Sequence, residues 1–209
     1  MDISLLFAIL TAGLIAAASP GPATVTIATT SASHGTGAGL AVATGIVAGS
    51  FMWSISAALG LSALMVANAW ALEVIRYAGA LYLLYLAWKS ARAAWAGKAT
   101  NLVGAATPSS HRALFAKGLL LHLTNPKAIL FFGALYAFVL KPGEPWQTLA
   151  IVVAAIGLQS TIIFLGYALL FSRPKVRALY ARAARSIQAA CAVVFGGFAL
   201  RLLTAKLAS

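Results

Sequence analysis

Residues 16–24 read Ala16-Ala17-Ala18-Ser19-Pro20-Gly21-Pro22-Ala23-Thr24, and they stand inside an apolar run that extends from residue 3 to residue 32. Two imino acids remove two amide donors, and Gly21 permits a change of backbone direction that a Cβ would resist. A helix through this run should stop and restart. Pro22 suits the first position of the new helix, with Ser19 or Gly21 near its cap, and Thr24 and Thr26 place hydroxyls just beyond. Asn125-Pro126-Lys127, within the run 114–139, repeats the logic: Asn is a strong N-cap and Pro fits the next position. Each restarted helix is expected to point free amides at its break, an end that attracts anions.

Composition gives these breaks their setting. Of 209 residues, 62% are hydrophobic and 9% charged, against roughly 25% charged in an average soluble domain. The chain therefore reads as an all-α, polytopic membrane protein with six transmembrane helices, at about 3–32, 37–64, 70–90, 114–139, 147–171 and 186–206. The first three are separated by His34-Gly35-Thr36-Gly37 and a short connection near Asn68, the last three by Lys141-Pro142-Gly143-Glu144-Pro145 and the basic stretch from Arg173. Residues 1–209 form one domain, whose halves 1–90 and 114–209 are joined by a polar loop, 91–113. Three spans are an odd number, so the halves enter the bilayer in opposite senses, as a 3+3 inverted-topology repeat requires. Pro20 lies about 17 residues into its run and Pro126 about 12 into its own, which at ~1.5 Å per residue sets both near the midplane. Broken membrane helices are tolerated where protein or a water-filled cavity satisfies the freed backbone, so the pair marks a substrate site.

Residues 3–18 with Ala16-Ala17-Ala18 imitate a signal peptide, but Asp2 stands where a positive n-region belongs, and the segment is expected to be retained as a span. The net charge of +12 follows topology rather than nucleic-acid binding. Lys89, Arg92, Lys98, Arg112 and Lys117 flank the third loop, and Arg173, Lys175, Arg177, Arg182 and Arg185 occupy the fifth. The positive-inside rule then makes loops three and five cytoplasmic and sets both termini outside a bacterial inner membrane. Trp53, Trp70, Trp88, Trp95 and Trp146 fall mostly near span ends, where indoles anchor at the interface, and Lys89 to Lys98 is able to continue as an amphipathic helix on the inner leaflet.

Lys127 is the cation set well away from any expected membrane edge, where a charge costs at least ~2.5 kcal/mol unless partnered or hydrated. Two compatible roles present themselves. It donates to free carbonyls at the end of the first broken helix, near Ala17 and Ala18, or it contacts the carboxylate of a bound solute. The acids, Asp2, Glu73 and Glu144, all lie at outer span ends, so no midplane carboxylate relay exists and a cationic solute lacks a counter-ion. Neutral solutes are favoured. Glu73 and Arg76, three apart, form a structural pair or an outer gate. His34 and His111 read as loop residues, whereas His122, one turn before Asn125, is the histidine placed for a pathway role. Ala41, Gly45 and Gly49 line one helix face at intervals of four, for packing within the chain or for a homodimer seam.

These features also exclude function classes. A single cysteine, Cys191, rules out a paired-thiol carrier. No catalytic constellation lies within the spans, which argues against an enzyme, and no carboxylate, imidazole or thiolate cluster suits a metal. No cofactor is implied. A structural membrane subunit remains the alternative to a small-solute exporter.

The motifs together resemble the LysE/RhtB amino-acid exporters: Ser19-Pro20-Gly21-Pro22, His34-Gly35, Gly45 and Gly49, residues 77–86 (Tyr77 to Leu86), Leu123-Thr124-Asn125-Pro126-Lys127-Ala128, and Gly166-Tyr167-Ala168. The resemblance covers nearly the whole chain and implies efflux of amino acids or close analogues, driven by protons. Relatives often carry Pro-Gln-Phe where this chain has Tyr136-Ala137-Phe138, and many carry an acid where it has Ser160, beside Gln159. The expected substrate site comprises Ser19, Pro20, Gly21, Pro22, Thr24, Thr124, Asn125, Pro126 and Lys127, with Glu73, Arg76, His122, Gln159 and Ser160 as gating or coupling candidates.

Overall fold

Helices begin and end in this chain where proline, glycine and capping side chains dictate. The computed structural model describes residues 3–67, 69–96, 110–139 and 144–204, with side chains described except at 61–73, 75 and 76. Among the described residues all regular structure is helical: α1 (Ile3–Ala18), α2 (Pro22–Ala67), α3 (Ala69–Ala96), α4 (His111–Leu123), α5 (Pro126–Val139), α6 (Trp146–Phe171) and α7 (Pro174–Thr204). Three helices start on proline, the residue that surrenders no needed donor at the first helical position.

The His34–Gly37 stretch, expected to separate two spans, is a kink within α2. Gly35 there has φ 80° and ψ 178°, and no other described residue has a positive φ. Only glycine takes up that geometry without a Cβ penalty.

Two expected loops are shorter than the sequence implied. Loop 91–113 is helical at both ends, because α3 continues to Ala96 and α4 starts at His111, capped by Ser110 Oγ accepting from the Ala113 amide at 3.2 Å. Arg92 lies 5.0 Å from the Trp88 ring and Lys89 6.0 Å from that of Tyr85, so long cationic stems fold back along aromatic rings and the helix continues through polar sequence. The basic stretch expected as loop five belongs mainly to α7, which Pro174 initiates. Arg177 Nη1 donates to the Phe171 carbonyl at 2.7 Å, fastening α7 to the end of α6 across Ser172 and Arg173.

By length and composition, Pro22–Gly60, Trp146–Phe171 and Pro174–Thr204 are each able to cross a membrane, and α4 with α5 qualifies as a pair bent by 56°. Ile3–Ala18 is apolar but shorter. Large apolar side chains such as Phe7, Leu81, Ile162 and Val193 face outward, and Trp95 and Trp146 are exposed near helix ends. That surface suits lipid rather than water.

α2 packs chiefly on α4 and α6, and α3 on α7 and α5. Backbones meet closely at the α2–α4 crossing. A Cβ on Gly45 would overlap the Phe115 carbonyl, and one on Gly118 would overlap that of Val42. The small-residue face of α2 is thus used for packing inside the chain. One buried cluster joins Ile9, Phe132, Tyr136, Val152 and Ile156; a second joins Ala23, Ile27, Val42, Ile46 and Phe164. A third, between α3, α5 and α7, includes Leu83, Cys191 and Phe195.

Candidate functional site

The junction between α1 and α2 leaves the last carbonyls of α1 without helical partners, as any helix end does. Ser19 N still bonds Ile15 O at 2.9 Å, and the ladder of α2 opens with Val25 N to Gly21 O at 2.9 Å. In between, three different helices supply donors. Thr24 Oγ1 of α2 donates to Ala17 O at 3.2 Å, Tyr180 Oη of α7 to Ala18 O at 2.9 Å, and Lys127 Nζ of α5 to Ser19 O at 3.3 Å. The end of α1 is held by donors from three helices, and a cation is placed at its negative end.

The α4–α5 junction is built from its own residues. Asn125 Oδ1 accepts from the Lys127 amide at 3.0 Å, while Asn125 O accepts from Ala128 N at 2.9 Å and Ile129 N at 3.1 Å. With proline at the first position, the opening amides of α5 are therefore occupied. The free amides expected there are not available, and α5 offers its dipole and Lys127 instead. At α2 the amides of Ala23 and Thr24 precede the first ladder bond and sit in an open first turn.

A cavity of about 60 Å³ lies between the two junctions, enough for several waters at ~10–15 Å³ each. It forms where the first two core clusters meet: Phe132 and Ile156 come from one, Ala23 and Phe164 from the other. Of the expected site residues, Ser19, Gly21, Pro22, Thr24, Asn125 and Lys127 line it, and His122, Gln159 and Ser160 line it as well. Pro20, Pro126 and Thr124 are not in its lining. Thr124 is exposed and its hydroxyl bonds back to Leu120 O at 2.8 Å, a local alternative open to a threonine at a helix end. Glu73 and Arg76 lie outside the described side chains.

Lys127 Nζ stands 3.5 Å from where a Cβ on Gly21 would be, so the glycine leaves the ammonium room at the junction. An ammonium has three donors, and Ser19 O takes one. Among described side chains Glu144 is the one acid, and about 18 Å of α5 separates Lys127 from the helix end leading to it. The cavity thus carries a cation with no described carboxylate against it.

The cavity lining also includes an imidazole and aromatic rings. His122 is buried, its Nε2 3.0 Å from Ser50 Oγ and its ring edge-on to Phe132 and Phe164 at 6.5 and 6.1 Å. Gln159 Nε2 donates to Leu10 O at 2.8 Å, tying α6 to α1 beside the cavity. Ser50, Phe131, Phe132 and Phe164 were not singled out by the sequence, although Ser50 follows Gly49 on the small-residue stretch of α2 and is a polar residue within an apolar helix.

Known proteins resemble this chain over almost its full length. The profile of the LysE type translocator matches residues 14–206. This chain is a member of the LysE family. It is 30% identical over 208 residues to the threonine efflux protein of Salmonella typhimurium, covering 97% of this chain and 98% of that one. It is 29% identical over 197 residues to the threonine efflux protein of Escherichia coli K12, covering 92% and 94%. To the homoserine/homoserine lactone efflux protein of Salmonella typhimurium it is 32% identical over 169 residues, with 80% of each chain covered. No solved structure matches. This LysE-family chain is accordingly a multi-pass membrane transporter.

Proposed function

We propose that this LysE-type translocator exports small amino acids, neutral ones or their derivatives, from the cytoplasm of a bacterium by alternating access. The observation that carries the reading is Lys127, a cation at the wall of a small cavity, bonded to a backbone carbonyl and with no described carboxylate against it. A transported carboxylate is the partner such a group accepts. The open first turn of α2 adds amides for the same anionic group, and the scarcity of acids disfavours a second positive charge on the solute. The names of the threonine and homoserine efflux relatives agree with this chemistry.

In this reading α1 with the first part of α2, and α4 with α5, are two broken spans of a six-span, 3+3 inverted repeat. Loops three and five lie in the cytoplasm and both termini outside. The carboxylate takes the two Lys127 donors that Ser19 O leaves free and, by partly neutralising the ammonium, weakens its bond to Ser19 O between the two junctions, which lets the halves rock. The proton gradient supplies the driving force, with the substrate amine, His122 or an edge carboxylate as the proton-carrying group.

The test is export from loaded cells. Cells expressing the chain should release labelled threonine faster, and tolerate toxic neutral amino-acid analogues better, than cells lacking it, and an uncoupler should abolish the difference. Equal release and equal tolerance at verified membrane expression would reject the exporter. Release that ignores the uncoupler would reject the proton drive alone.

A further inference from the structure

Away from the cavity, α3 and α7 part to leave a groove of about 600 Å³, walled by alanines and Trp95 on α3 and by Arg185, Ser186, Ala189 and Ala192 on α7. That volume is in the range of a small-molecule site, ~300–1,000 Å³. The two helices touch where a Cβ on Gly196 would lie 3.9 Å from that of Ala87. Beyond this contact α3 runs on toward Trp95 while α7 runs back toward Arg185, so they are antiparallel, and between these ends the walls are alanine. Single methyl groups do not close the gap.

The groove is graded along its length. The end near Ala87 and Gly196 is lined by methyl groups, and the other end carries the Arg185 guanidinium, the Ser186 hydroxyl and the Trp95 indole. The charges of both helices divide at the same level. Residues 77–88 of α3 and 186–200 of α7 carry none, whereas Lys89 and Arg92 follow on α3 and Lys175, Arg177, Arg182 and Arg185 precede on α7. Apolar length gives way to basic length there, as at a membrane surface, and Trp95, 91% exposed, is the residue type that belongs at that depth.

Charge selects the occupant. Arg92 and Lys89 already lie over the Trp88 and Tyr85 rings. Arg185 has no hydrogen bond, ion pair or ring contact with a described residue, and Glu144, the one acid among described side chains, precedes α6 and belongs to neither wall. A guanidinium holds a phosphate through paired N–H donors, and basic pockets between membrane helices suit anionic head groups. An acyl chain continues from such a head group into the bilayer, the direction in which this groove turns to methyl. A zwitterionic lipid brings its own cation toward Arg185 and is the poorer match. We propose that the α3–α7 groove binds an anionic phospholipid, with its phosphate on Arg185 and Ser186, Trp95 beside its glycerol and one acyl chain between Ala94 and Ala189.

The experiment titrates the full chain, purified in detergent, with phosphatidylglycerol or phosphatidylcholine whose brominated acyl chains quench a neighbouring indole. The parent should be quenched by phosphatidylglycerol at about fivefold lower concentration than by phosphatidylcholine, the discrimination that one arginine near a membrane surface provides. Trp95→Phe should lose the saturable part of the quenching. Arg185→Gln should bring the two lipids within about twofold of each other. Ala94→Leu and Ala189→Leu, which fill the groove from opposite walls, should weaken both lipids at unchanged melting temperature. Lys117→Gln, an exposed cation of α4, which packs on α2, should behave as the parent does. Equal quenching by the two lipids in the parent overturns the site. So does a loss of discrimination in Lys117→Gln as large as that in Arg185→Gln, which assigns the preference to overall positive charge. Unchanged phosphatidylglycerol quenching in both leucine variants also overturns it, and a parent dimer that those variants dissociate in light scattering would then give the groove to a second copy of the chain.

Discussion

Lys127 Nζ bonds the carbonyl oxygen of Ser19 at 3.3 Å, joining two helix junctions 108 positions apart in the chain. Each junction is made by local chemistry, but this bond makes them a single site. It caps the negative end of α1 and leaves two ammonium donors for a solute.

Replacing that group separates capping from binding. Lys127→Gln retains a donor for Ser19 O but carries no charge, and we expect it to lower threonine efflux at least tenfold at equal membrane abundance. The check is initial efflux rate from proteoliposomes. A rate within twofold of the parent would reduce Lys127 to a cap.

Gly21 leaves room for the ammonium. A Cβ there would make an ordinary contact at 3.5 Å with Lys127 Nζ, so Gly21→Ala should fold normally. It should nonetheless crowd the side of the ammonium that faces a solute and raise the apparent KM for threonine by about threefold to tenfold, with little change in maximal rate, as loss of uniform binding does. Concentration-dependent counterflow measures both parameters.

The α2–α4 crossing admits no side chain at Gly45, where a Cβ would collide with the backbone at Phe115 O and lie 2.8 Å from Leu119 N. Overpacking of this kind costs about 1–3 kcal/mol. For a chain of this size the detergent-solubilised Gly45→Ala protein should melt about 2–10 °C lower. An unchanged melting temperature would show that the two helices part easily.

Tyr180→Phe removes the donor that α7 contributes to Ala18 O. Hydrogen bonds between membrane helices average about 0.6 kcal/mol, and a stranded carbonyl adds to that loss. A stability decrease of about 0.5–1.5 kcal/mol is expected, read from thermal melts of the purified variant.

The proposed topology is open to a labelling test that uses the chain's one cysteine, Cys191, which is buried. Cysteines placed at Ser110 and Ser172 should react with an impermeant maleimide only from the cytoplasmic face, and one at Thr204 only from outside. Labelling of Ser110→Cys and Ser172→Cys from opposite faces would refute the six-span plan.

Features that depend on a few neighbouring residues could be read directly. The end of α1 at Ala18 and the starts of α2 and α5 at Pro22 and Pro126 follow from proline and its missing donor. The α5 amides differ from the expectation because Asn125 bonds through both its side chain and its carbonyl, taking up three of them. Thr124 stands outside the cavity lining for a related reason, a hydroxyl that turns back on its own helix. Tyr180 and Phe164 were not legible, because each approaches the α1–α2 junction or the cavity from another helix, through crossings that leave no local pattern. The role of Tyr136 is also visible only in three dimensions: its hydroxyl pairs with Ser54 Oγ at 2.7 Å in the buried contact of α5 with α2.

The carboxylate contact is the centre of the account, and competition in counterflow tests it most directly. Labelled threonine uptake into proteoliposomes preloaded with threonine is measured against added unlabelled threonine or threoninol, which keeps the amine and hydroxyl but lacks the carboxylate. The account predicts that threonine competes and threoninol does so at least tenfold more weakly, a difference that Lys127→Gln erases in whatever residual transport it retains. Equal competition by the two compounds in the parent would contradict it.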